Sequence, residues 1–93
     1  RSTLDGTLFP YTTLFRSEKQ TEEAKNLARA RQSLIEELDA INVYEERFQA
    51  SNDEELKRIL AHNRDEEKEH AAMLIEYLKE KDATFKRMFE EHD

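Results

Sequence analysis

Leu27–Phe48, LARARQSLIEELDAINVYEERF, and Leu56–Leu78, LKRILAHNRDEEKEHAAMLIEYL, decide how this chain folds. In the first, Leu27, Ala30, Leu34, Glu37, Leu38, Ile41, Tyr44 and Phe48 form a stripe; in the second, Leu56, Ile59, Leu60, Asn63, Glu67, His70, Leu74, Tyr77 and Leu78 do. The steps are mostly three and four, the repeat of an α-helix seen from one side. Glu37, Glu67 and His70 interrupt otherwise apolar stripes. A buried, unpaired carboxylate costs several kcal/mol or takes up a proton, so something must compensate it. A metal ion suits two carboxylates and an imidazole, and Glu-x-x-His at i, i+3 puts both side chains on one helix face.

Between the stripes lies Ser51-Asn52-Asp53-Glu54. Ser51 is expected to cap the second helix, with Glu54 three residues on completing a capping box. So short a turn forces an antiparallel hairpin. The first helix is expected over about 20–50, with Glu22 and Glu23 at the positive end of its dipole and a length of roughly 45 Å. The second is expected over about 52–81, its last turn carrying Lys79 and Lys81 at the negative end. Asp82 then caps a short third helix over about 83–91, with Phe85, Met88 and Phe89 on one side. The fold class is all-α. Counted from Ser51, Glu37 lies fourteen residues back and Glu67 sixteen forward, so at about 1.5 Å per residue the two meet within about one turn of the same level.

Residues 1–17, RSTLDGTLFPYTTLFRS, hold the only Gly and Pro and show no helical period. Leu8–Ser17 back-translates as CTC TTT CCC TAC ACG ACG CTC TTC CGA TCT, which resembles a sequencing-library adapter. The tract is read as adapter-derived or as a flexible arm and set apart, leaving 18–93 as one helical domain.

Ninety-three residues allow one thin domain. With 40% charged residues and a mean hydropathy of -1.01, the chain reads as solvated helices with narrow apolar seams that need a partner. No cysteine is present, which excludes disulfides and thiolate metal sites. The apolar runs are too short for a membrane span, and a net charge of -7 argues against nucleic acid as a partner.

One Glu and one Glu-x-x-His are half the ligand set of a carboxylate-bridged di-iron bundle, so two chains are expected to complete it. Oxygen and imidazole ligands suit iron or manganese, with zinc or copper able to compete. The other reading is that Glu67 and His70 pair with an Arg or with each other across a dimer seam. Glu36 and Asp39, beside the stripe, are read either as an outer site for calcium or another divalent cation or as an ordinary acidic face. Tyr44 is a candidate partner of a metal-bound carboxylate or a rim tyrosine of the core. Asn63, one turn before Glu67, is a candidate support for the ligands. His62 and His92 are read as surface residues.

The segments Leu34-Ile35-Glu36-Glu37-Leu38-Asp39-Ala40 and His62-Asn63-Arg64-Asp65-Glu66-Glu67-Lys68-Glu69-His70-Ala71 resemble the paired signatures of the encapsulated ferritins, over about residues 22–91. The resemblance implies a ferritin-like hairpin, a homodimer that rebuilds a four-helix bundle, a ring of such dimers, typically a decamer, and ferroxidase activity. It matches Glu37, Glu67 and His70 to the iron ligands, Glu36 and Asp39 to an outer metal site, and Tyr44 to a tyrosine near the di-iron centre. It also implies a cytoplasmic location inside an encapsulin shell, given a targeting tail. Asp39 replaces what is often Glu, Val43 stands where some members have Trp, and no apolar, basic extension follows His92-Asp93. A rubrerythrin-like peroxide-reducing centre and a helical dimerisation adaptor are the other functions considered.

Overall fold

The computed structural model describes residues 20–92; the expected boundary at residue 17 lies outside them. Among the described residues the regular elements are α1 (Glu22–Ala50), α2 (Glu54–Lys81) and α3 (Ala83–Glu91). The expected all-α hairpin with a short third helix is what forms.

Each helix start has a side-chain acceptor for its orphan N–H groups. Thr21 Oγ1 accepts from Ala24 N at 3.0 Å. At the hairpin the expected cap is corrected: α2 is capped by Asp53, whose Oδ1 accepts from Glu55 N at 3.0 Å and Leu56 N at 3.2 Å. Ser51 instead receives Asp53 N on its Oγ at 3.0 Å, and its own N–H closes α1 on Phe48 O at 3.4 Å. The carboxylate wins because it is the stronger acceptor at the positive end of the dipole. Asp82 caps α3 as expected, accepting from Thr84 N at 3.0 Å and Phe85 N at 3.1 Å.

α1 and α2 pack against each other, and α3 against α2. The covered seam on α1 is Leu27, Ala30, Leu34, Glu37, Ile41, Tyr44 and Phe48, alternating steps of three and four. On α2 it is Lys57, Leu60, Arg64, Glu67, Ala71, Leu74 and Leu78. These are the a and d positions of an antiparallel coiled coil. The broad apolar stripe expected on α2 therefore divides. Leu60, Glu67, Leu74 and Leu78 join the seam, whereas Leu56 (44% exposed), Ile59 (51%) and Tyr77 (37%) stand on an outward edge with Met73 (64%). Leu38 on α1 is likewise outside the seam. Only Ala30, Leu60, Ala71 and Leu78 are buried in the described chain, a core too thin to account for so many exposed large apolar side chains.

Candidate metal centre

The hairpin register brings Glu37 of α1 level with Glu67 of α2, as the count from the turn requires. His70 follows one turn later on the outward edge. One donor atom from each of Glu37, Glu67 and His70 lies within 4.8 Å of the others. His70 Nδ1 is 3.0 Å from Glu67 Oε1 and 3.5 Å from Glu37 Oε1. The carboxylate side chains are mostly covered, 26% and 23% exposed for Glu37 and Glu67, while half of the His70 side chain faces outward. Donors that share an ion at about 2.0–2.2 Å sit up to about 4.4 Å apart, so a small closure would let one ion touch all three.

The electrostatics describe a site short of positive charge. Glu37 is held above the usual carboxylate range, first by the hydrogen bond it shares with Glu67, then by partial burial and repulsion from the Glu67 charge. Glu67 is held below that range by accepting from Glu37 and, more weakly, by His70. His70 is raised above the usual imidazole value by its hydrogen bond to Glu67, helped by the negative charge of both carboxylates against the cost of burial. Glu37 and His70 are thus both shifted toward their protonated forms by the hydrogen bond to Glu67 and the negative charge around them. Metal binding to carboxylate and imidazole ligands generally releases protons.

The remaining candidates do not join this cluster. Glu36 is exposed and accepts from Gln32 Nε2 at 3.3 Å, and Asp39 is exposed one turn on. Tyr44 and Asn63 are half-buried. His62 pairs with Glu66 at 3.3 Å, both exposed, and His92 is exposed.

Sequence reading overlooked a second polar group in the seam. Arg64 Nη1 donates to Glu45 Oε1 at 2.9 Å and Arg64 Nε to Asp65 Oδ1 at 3.0 Å. Its guanidinium carbon lies 5.2 Å from the Phe48 ring centroid, and Lys57 Nζ lies 4.4 Å from the same centroid. The unbroken heptad count backward from Leu78 through Leu74, Ala71 and Glu67 lands on Arg64, and that spacing could have found it.

A helical hairpin that sets a Glu against a Glu-x-x-His across its seam belongs to the ferritin-like class, in which two such halves make a di-metal bundle. The chain is a member of the EncFtn-like family, whose pattern matches residues 13–92. It is 58% identical over 62 residues to the encapsulated ferritin-like protein of Rhodospirillum rubrum, covering 67% of this chain and 44% of that protein. It is 48% identical over 59 residues to a ferritin-like protein of Thermotoga maritima, covering 63% and 52%. The encapsulin nanocompartment cargo protein EncC of Myxococcus xanthus is 43% identical over 58 residues, covering 62% and 42%. The chain thus spans about half the length of these curated relatives. Among solved structures, protein ne0167 from Nitrosomonas europaea superposes with a TM-score of 0.75 at 46% identity, covering 82% of this chain and 84% of that one. No helix among the described residues is long and apolar enough to cross a membrane.

Proposed function

We propose that this chain is a ferroxidase subunit that oxidises Fe(II) to Fe(III) at a site shared between two copies. The observation that carries the reading is the gathered, charge-deficient trio of Glu37, Glu67 and His70 on an incompletely covered face. Two copies apposed on that face would supply four carboxylates and two imidazoles, the full di-iron set. Leu56, Ile59, Met73 and Tyr77, exposed on the His70 edge of α2, would be covered in the same step.

Fe(II) is the substrate and gives an electron to oxygen. Glu37 and Glu67 would hold the ion in both oxidation states, and His70 would be its nitrogen ligand. Iron binding would favour the deprotonated forms of all three ligands, against the upward shifts of Glu37 and His70. Glu36 and Asp39 would form a solvated outer site that passes cations inward, and Tyr44 and Asn63 would support the ligands. Residence in an encapsulin shell is part of the proposal, supported by the cargo name of the Myxococcus relative, and so is a ring of dimers, typically ten chains.

The test is stopped-flow near-ultraviolet absorbance after mixing metal-free protein with about two Fe(II) per dimer in air. The parent is expected to show a fast rise and Glu67→Ala a slow one. Equal, slow traces would return the chain to a helical adaptor.

A further inference from the structure

Arg64 is a hazard to any site that must take a cation. It stands in the covered seam three residues before Glu67, a spacing that leaves Cβ atoms about 5–6 Å apart on one helix face. A guanidinium reaches across such a gap and offers a planar fork of donors to carboxylates. Helical side chains lean toward the N-terminus, which brings the Glu67 carboxylate back toward Arg64 and carries the Arg64 stem toward the turn, so the outcome is set by which acceptors the flexible guanidinium meets. An Arg settled between Glu37 and Glu67 would satisfy both without any metal.

The guanidinium is turned the other way. Its partners Glu45 and Phe48 lie about two and three helical turns nearer the hairpin turn than Glu37. Glu45 Oε1 takes its Nη1 at 2.9 Å, and the Phe48 ring lies under it at 5.2 Å. Gln49 Nε2 donates to Glu45 Oε2 at 2.7 Å, so the other carboxylate oxygen is fixed from one turn further on. Both acceptors are partly exposed, Glu45 at 43% and Asp65 at 61% against 19% for Arg64, and the more exposed pair is the weaker tether.

We propose that Glu45 is a positioning residue for the metal site: backed by Gln49, it keeps Arg64 on the turn side of the seam, so that no internal cation occupies the carboxylates a divalent ion must bind. This rests on the metal reading of Glu37, Glu67 and His70. Without Glu45, Arg64 competes with the incoming ion for the same oxygens.

The experiment titrates Co(II) into the intact, metal-free chain and follows cobalt absorption, with circular dichroism as the check on helicity. Glu45→Ala is expected to weaken Co(II) binding about tenfold, the scale on which supporting residues act at metal sites. Adding Arg64→Met to that variant is expected to restore binding to within about threefold of the parent, because the competitor is gone. A merely structural Glu45 would give the opposite sign, since removing its partner as well would only loosen the hairpin further. Unchanged affinity in Glu45→Ala overturns the proposal, and so does a double variant that binds no better than the single one. Should Glu45→Ala lose its helicity, Glu45→Gln and Glu45→Gln/Arg64→Met are read by the same criteria. A parent that fails to bind Co(II) overturns the metal reading itself; a parent that binds with indifferent Glu45 variants overturns only this inference.

Discussion

Two polar groups interrupt one apolar seam, and they are built on opposite terms. Near the turn, Arg64 and Lys57 meet Glu45, Asp65 and the face of Phe48. Arg64 closes on the two carboxylates, and Lys57 rests on the Phe48 ring. Further along, Glu37 and Glu67 face each other with only the edge of His70 to share. Buried or half-buried charge persists either because it is balanced in place or because balance arrives from outside. The Arg64 group is paired within the hairpin itself. In the second, two carboxylates face one imidazole, and the contrast within a single hairpin supports the proposed binding site.

The comparison can be broken most forcefully at the ligands. His70→Ala and Glu67→Ala are each expected to slow iron oxidation by at least about a hundredfold, beyond the usual cost of removing a supporting residue, while far-ultraviolet circular dichroism stays near that of the parent. Loss of helicity together with activity would make the two groups alike after all.

Next in size is a contrast of sign in the metal-free protein at neutral pH. Glu37→Gln is expected to raise the thermal midpoint, because an ionised Glu37 is disfavoured there and an amide donates to Glu67 without repulsion. Glu45→Gln is expected to lower it, because that carboxylate is held below its usual range by Gln49 and Arg64. Thermal melts of the two variants would show whether one group carries a charge deficit and the other a balance.

Titration sharpens the same point. Glu37 has a raised folded-state pKa, so its contribution to stability is fully present below the unfolded carboxylate value and is lost as pH rises through the folded one. Glu45 has a depressed one; its contribution is present above the unfolded value and is lost as pH falls through the folded one. Melts across the acid range are therefore expected to flatten on the alkaline side in Glu37→Gln and on the acid side in Glu45→Gln.

The smallest effect lies outside both groups. Asp53→Ala is expected to cost about 1 kcal/mol as a lost helix cap, and Ser51→Ala less, measurable by urea unfolding.

The hairpin was legible because its seams repeat without a break, and the meeting of Glu37 and Glu67 followed from counting outward from the turn. The cap was misread because Ser51 and Glu54 fit a known pattern, yet Asp53 stands nearer the first free N–H groups. The α2 stripe was drawn too wide: apolar residues at Leu56, Ile59 and Tyr77 look the same in sequence whether they face the hairpin partner or away from it. Arg64 and Lys57 were missed for the converse reason. Charged residues are left out of apolar patterns, although long stems and an aromatic face give them a place there. What meets the exposed edge of α2 is a property of a second surface, and no pattern within one hairpin encodes it directly.

Asp82 has a mechanical consequence. Its N–H closes α2 on Leu78 O at 2.9 Å, its Oδ1 opens α3, and its Oδ2 lies 3.8 Å from Arg31 Nη1 on α1. One residue thus serves as the end of one rod, the start of the next and a near neighbour of a third. A push on Phe85 or Phe89 would therefore be passed to α2 through the backbone at Asp82, where the two helices share a residue.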